Sequence, residues 1–353
     1  DRKRRRPLAS GPVSIPTATA WSLADLGEAR GKQTLFTKQA PQRLKVLREH
    51  ALIESAVSSN RIEGVIVDRK RVGTVVFGKS LLRDRDEEEV RGYRTALDLI
   101  YKRGADLLVS EATIRKLHAL SRPGSGDAGE YKRKDSDIIE RSPDGQERVR
   151  FRTVEARKTA AAMKGLVSSW EDCLSERWVH PLIALAAFNL DFLCVHPFRD
   201  GNGRASRLLL LLQSYNLGYE VGRYISLERL IEQNKERYYE TLERSSHGWH
   251  VGKHDPWPYV NHVLFILKEA YREFEERVGD TTAPKGAKTD LLLSAIGKRE
   301  GAFRVADLQR ECPSVGIDLI RKVLKKLKAG KQVECLGRGA GAAWRKVGSA
   351  SIG

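Results

Sequence analysis

The chain has 353 residues, 41% of them hydrophobic, more than one compact domain ordinarily needs and enough apolar material for two folded units. Lysine and arginine outnumber aspartate and glutamate by 63 to 46, and the resulting charge of +17 favours phosphate-bearing partners without saying whether the phosphate belongs to DNA, RNA or a nucleotide. The longest apolar run, Leu208 to Leu212, is far short of a membrane span and no secretory pattern follows the charged start, so no membrane partner and a cytoplasmic location are expected.

Residues 1–40 read as a basic N-terminal arm, because the first part is rich in arginine and then in Pro, Ser, Ala and Thr without apolar periodicity. A helical region follows over 41–110. Pro41 suits a first helical turn, and Leu44, Leu47, Ala51, Leu52, Ser55, Val57 and Ser58 recur at spacings of three and four, predicting a helix to about Ile62 that stops at Gly64. Asp84 to Ile100 is a second helix with an acidic start, and Glu111 to Leu120 a third. Tyr131 to Phe151, turning at Pro143-Asp144-Gly145, reads as a β-hairpin. Helices resume over Thr153–Cys173, Pro181–Val195, Arg204–Tyr215, Ser226–Arg237 and Asp255–Val278, completing a core over 111–279. A linker is expected at 280–287. Beyond it, over 288–348, three short helices and a β-ribbon with a Gly-rich turn match a winged helix-turn-helix. The fold class is mainly α.

Four cysteines, Cys173, Cys194, Cys312 and Cys335, lack paired spacing and are expected to be reduced and structural. Gly73 to Ser80 satisfies the P-loop pattern formally, but Val75, Val76 and Phe77 are too bulky for a phosphate loop. His247, Gly248, Trp249 and His250 with His254 lack an acid or cysteine and read as a surface loop.

The informative string is His196-Pro-Phe-Arg-Asp-Gly-Asn-Gly-Arg-Ala-Ser-Arg207, a helix end, a glycine-bracketed loop and a new helix start in succession. Gly201 and Gly203 let backbone N–H groups approach an anion, and the helix beginning near Arg204 adds its positive dipole end. Arg204 and Arg207, three apart, share a helix face and are expected on one polyphosphate. Asp200 is an oxygen ligand suited to Mg2+, and His196 can accept a proton from a hydroxyl nucleophile.

This string resembles the Fic motif, His-x-Phe-x-Asp/Glu-Gly-Asn-Gly-Arg-x-x-Arg, without departure. The resemblance implies a Fic-fold helical bundle with a β-hairpin flap that binds ATP and Mg2+ and transfers AMP to a hydroxyl side chain of a target protein. It implies His196 as base, Phe198 as the apolar pin of the loop and Asp200 as metal ligand. Gly201, Asn202 and Gly203 would cradle the α- and β-phosphates, with Arg204 and Arg207 on the distal phosphates. Lys134, Asp135, Ser136, Asp137, Ile138 and Ile139 match the flap edge that holds the target, and Tyr239, Leu242 and Ser246 match the adenine pocket. Ser59-Asn-Arg-Ile-Glu63-Gly64 resembles the family's inhibitory motif, so Ser59, Glu63 and Gly64 are expected to form a brake in which Glu63 takes Arg207 from the γ-phosphate.

The leading expectation is an autoinhibited protein adenylyltransferase, with self-modification and a homodimer left open. Two alternatives stay open: a DNA-binding regulator with a nucleotide-sensing Fic unit, or a Fic enzyme that removes AMP or transfers another phosphate-linked group.

Overall fold

The computed structural model describes residues 14–39, 41–68, 71–78, 81–104, 106–141, 146–279, 287–297, 299, 301–312, 315–337, 339 and 341–347. The chain divides into two units, Asp1–Val278 and Gly279–Gly353. The first contains α1 (Thr17–Gln39), α2 (Pro41–Ile62), α3 (Val72–Phe77), α4 (Arg85–Arg103), α5 (Glu111–Ser121), β1 (Ile138–Arg141), β2 (Glu147–Phe151), α6 (Ala156–Glu176), α7 (Pro181–Val195), α8 (Asn202–Asn216), α9 (Leu227–Gln233), α10 (Lys235–Ser246) and α11 (Trp257–Gly279).

The centre of this unit is α7, where every residue from Leu182 to Val195 is buried. A helix apolar on all sides has to be enclosed, and α6 and α8 pack against it. Pro181 stands at its first turn and the His180 ring accepts from the Leu182 N–H at 3.2 Å, closing its start. Polar groups join α7 to its neighbours: Asn189 donates to the Ser206 carbonyl at 2.8 Å and accepts from Ser206 Oγ and Tyr259 Oη. The α8 run Leu208–Leu212 is wholly buried, so the segment that carries the motif is anchored in the core.

Several expectations are corrected. The arm over 1–40 contains α1 from Thr17 onward; residues 1–13 lie outside the described residues. The buried positions of α1, Thr19, Leu23, Leu26 and Gln33, are spaced as one helix face, but two of them are polar. Thr19 donates to Asn261 at 2.7 Å, while Gln33 accepts from the Glu220 N–H and the Tyr271 hydroxyl. The helix expected over Ser226–Arg237 breaks at Asn234, whose N–H turns to the carbonyl of Ile231 and so leaves the α-helical ladder. The hairpin is shorter than Tyr131–Phe151: β1 and β2 pair antiparallel with Ile139 opposite Val149, and a bulge falls between Ile138 and Ile139. Its expected turn, Pro143 to Gly145, lies outside the described residues. The P-loop-like stretch is the short helix α3, with Val75 and Val76 buried; its Lys79 and Ser80 lie outside the described residues.

The second unit contains α12 (Ala287–Gly297), β3 (Phe303–Arg304), α13 (Val305–Glu311), α14 (Ile317–Ala329), β4 (Val333–Cys335) and β5 (Ala343–Lys346). Its sheet has the order β3-β5-β4, antiparallel throughout, with Trp344 opposite both Phe303 and Cys335. Leu292, Ile296, Phe303, Leu308, Ile320, Leu324 and Val333 form a core of its own. No described helix is long and apolar enough to cross a membrane.

Candidate functional site

The loop between α7 and α8 is built around a reversal at His196, which adopts a left-handed backbone with φ 50° and returns its N–H to the Phe192 carbonyl at 2.9 Å. Its Nδ1 faces the Leu193 carbonyl at 3.4 Å. A carbonyl only accepts, so Nδ1 carries the hydrogen and Nε2 is the basic nitrogen. Burial and the nearby Lys132 ammonium lower the imidazole pKa to about 4, which keeps the ring neutral near pH 7.

Phe198 is fully buried and stacks on His118 with ring centroids 3.7 Å apart. The Gly129 N–H donates to His118 Nδ1, which fixes the tautomer, and Nε2–H donates to the Asp200 carbonyl at 2.9 Å. Asn202 closes the loop on itself: its amide nitrogen donates to the Phe198 carbonyl at 2.8 Å and its oxygen accepts from the Phe198 N–H at 2.9 Å. Its side chain is therefore spent on loop shape. Gly201 has φ 79°, a conformation that favours glycine, and a Cβ there would press at 3.2 Å on the Arg122 and His118 side chains.

Asp200 is 58% exposed at its side chain. Its Oδ1 accepts from the Gly201 N–H at 2.6 Å and its Oδ2 pairs with Arg122 Nη1 at 2.5 Å. Burial opposes the charge, but Arg122, the Gly201 N–H and Arg204 hold the carboxyl below its usual range. Arg122 also reaches Glu89 at 3.1 Å, and the other Glu89 oxygen takes Arg204 at 2.5 Å. Arg204, expected on the distal phosphates, is 2% exposed and also donates to Asn60 at 3.1 Å. It joins α8 to α4 and α2.

Arg207 takes a different position. Its Nε donates to Ser59 Oγ at 2.8 Å, and its Nη2 to the Ser59 carbonyl at 2.9 Å and to Glu63 Oε1 at 2.7 Å. Gly64, with φ 87°, turns the chain away just after. A Cβ on Gly203 would collide with Glu63 Oε1. The carboxylate thus lies against the glycine that opens the N-terminal end of α8, where an anion is most favoured. The end of α2 is held there by Lys235, which donates to the Ile62 carbonyl at 3.0 Å, and by Arg61 paired to Glu232 at 2.9 Å.

Lys132 was not apparent from the sequence. Its N–H donates to the Pro197 carbonyl at 2.8 Å, and its buried ammonium donates to Thr153 Oγ1 at 2.6 Å and reaches the Val195 carbonyl at 3.4 Å. It therefore grips both neighbours of His196. Desolvation lowers its pKa to about 8.

Of the expected flap edge, only Ile138 and the exposed Ile139 lie in β1. Lys134 to Asp137 is irregular: Asp135 accepts from the Ala156 N–H at the start of α6, Asp137 from the Thr153 N–H, and the Ser136 carbonyl from Thr153 Oγ1. In α10, Tyr239 and Leu242 are half-buried, and Arg150 ties β2 to the Tyr239 carbonyl at 3.2 Å. Burial and the neighbouring Glu63 push the Tyr239 hydroxyl up to about 12. Ser246 Oγ donates to the Glu243 carbonyl within the helix. His250 stacks on Phe151 and meets the Arg152 carbonyl, and no metal-binding cluster of three His, Cys, Asp or Glu occurs among the described residues.

Residues 108–214 match the Fic/DOC family. Among solved structures, a Fic family protein from Desulfovibrio desulfuricans is similar at 24% identity and TM-score 0.64, covering 97% of this chain and 100% of that one. A Fic domain containing signaling protein from Bacteroides thetaiotaomicron is similar at 20% identity and TM-score 0.61, over 72% of this chain and 97% of that one. A motif loop pinned by Phe198 and Asn202, set between two buried helices inside the matched segment, agrees with both likenesses: this chain has the Fic fold, and its residues 108–214 match the Fic/DOC family.

Proposed function

We propose that this protein transfers AMP from ATP to a hydroxyl side chain of another protein, releasing pyrophosphate, and that Glu63 restrains the reaction. Proteins with this domain typically move nucleotide or other phosphate-linked groups onto proteins. The observation that carries the reading is a neutral imidazole with a free Nε2 beside a glycine-bracketed helix start.

Asp200 suits Mg2+ by its donor chemistry: one solvent-open carboxylate, with no group of three His, Cys, Asp or Glu to make a cage among the described residues. Bound there with ATP, Mg2+ would offset charge on the phosphates and on the departing pyrophosphate. Gly203 and the first N–H groups of α8 suit phosphate oxygens, and Arg207, once free of Glu63, suits the γ-phosphate. His196 Nε2 takes the hydroxyl proton as that oxygen bonds to the α-phosphorus, and the α-phosphorus to bridging-oxygen bond breaks. The open edge of β1 is suited to pair with the target chain, and Tyr239, Leu242 and Ser246 lie on the helix proposed to face the adenine.

ATP labelled at the α- or the γ-phosphorus, incubated with lysate and the full chain or its Glu63→Gly variant, tests this. Label from the α position alone supports adenylyl transfer, and a labelled band at the enzyme's own mass shows self-modification. Label from the γ position, or loss of AMP from modified protein without new labelling, replaces it with one of the other transfer reactions. No label with either protein removes it.

A further inference from the structure

The second unit carries a charge distribution that the transfer reaction does not use. Helix α14 buries Ile320, Val323 and Leu324 in the unit's own core, and Arg321, Lys322, Lys325, Lys326 and Lys328 are all exposed on the opposite side. Residues at offsets of one, four, five and seven lie on one broad helical face. Counter-charges are committed elsewhere: Asp307 pairs with Arg310, Glu311 with Arg299 and Glu334 with Arg345. Asp318 stands 3.9 Å from Arg321, and among the described residues no carboxylate is paired with the four lysines. A face of uncompensated cations has only water and counter-ions to neutralise it, so a polyanion that releases those counter-ions binds with favourable entropy.

The surrounding topology presents this helix outward. Helix α13 crosses to α14 through residues 312–316, α14 packs against α13 and β4, and β4 and β5 form an antiparallel ribbon completed by β3. We propose that this unit is a winged helix-turn-helix that binds duplex DNA with the basic face of α14 in the major groove. An α-helix fits the major groove of B-form DNA, whereas the deep, narrow major groove of A-form RNA excludes it. The lysines meet phosphates on the groove walls, giving affinity with little sequence preference from those contacts. The proposal is independent of AMP transfer.

Fluorescence anisotropy with the full chain and a labelled DNA duplex of about 25 base pairs, long enough for more than one helical turn, tests it. About four phosphate contacts predict a slope near −4 for log affinity against log salt, hence about a hundredfold weakening between roughly 50 and 200 mM. Lys322→Ala with Lys325→Ala, both exposed and outside the core, is expected to flatten the slope by about two and to weaken binding at low salt. An unchanged circular dichroism melt shows that the unit remains folded. Three results overturn the proposal: no binding at about 50 mM salt and micromolar protein, the usual range of non-specific affinity; unchanged affinity in the double variant, which moves binding to another basic segment; or an RNA duplex bound as tightly as DNA.

Discussion

Lys132 and His196 explain each other. Burial, and a buried ammonium that opposes a second positive charge beside it, keep the imidazole neutral near pH 7, and the same lysine holds the carbonyls on either side of it. Because His196 must be neutral to accept a proton, transfer by a Glu63→Gly protein is expected to fall only as pH drops through about 4. Lys132→Met removes the opposing charge, so the acid limb of its single-turnover pH profile moves to higher pH; an unmoved limb separates Lys132 from the base. His196→Ala is expected to lower transfer by about 100- to 10,000-fold with ATP affinity largely kept, measured by labelling and by calorimetric titration. Arg122 is a subtler case, since it neutralises the carboxylate that a metal would use. Arg122→Gln should lower the Mg2+ concentration that half-saturates transfer, and an unchanged or raised requirement would show that Arg122 positions Asp200 for the metal. The contiguous motif made His196, Phe198, Asp200 and Arg207 legible because twelve consecutive residues carry their chemistry. Lys132, Glu89 and Arg122 left no such trace: their partners lie 63, 115 and 78 residues away, and the contacts of Arg204 with Glu89 and Asn60 were hidden for the same reason.

At the scale of elements, α2 matters most, because it brings Ser59, Asn60 and Glu63 to two arginines of α8. A charge-assisted hydrogen bond is worth about 1.5–3 kcal/mol, so Glu63→Gly is expected to raise AMP transfer by about ten- to a hundredfold at saturating ATP and Mg2+. ATP affinity should change far less, since the loop glycines and the start of α8 are untouched. Adding Arg207→Ala should cancel the gain; equal rates for the parent and Glu63→Gly would end the brake model. Helix α2 was readable because its apolar spacing is regular and Gly64 marks its stop. Helix α1 was not, because Thr19 and Gln33 occupy its inward face and Gly27 and Gly31 weaken its helical signal. The flap was overextended because Asp135, Ser136 and Asp137 use hydrogen bonds local to the flap base where strand pairing was expected.

For the whole molecule, the two units have separate hydrophobic cores, so a chain ending at Gly279 is expected to keep the transfer activity of the Glu63→Gly protein and to lose duplex binding. Loss of transfer on this truncation, with the melting temperature of the first unit unchanged, would show that the second unit is needed for target selection. The position of the brake along the chain has a further consequence. Glu63 precedes Arg207 by 144 residues, and a growing polypeptide leaves the ribosome from its N-terminal end. Helix α2 is therefore already outside when the loop that Glu63 meets is still being made. If Glu63 restrains transfer as proposed, the protein is restrained from the moment its centre assembles, and a newborn copy has no interval in which to modify its neighbours unchecked.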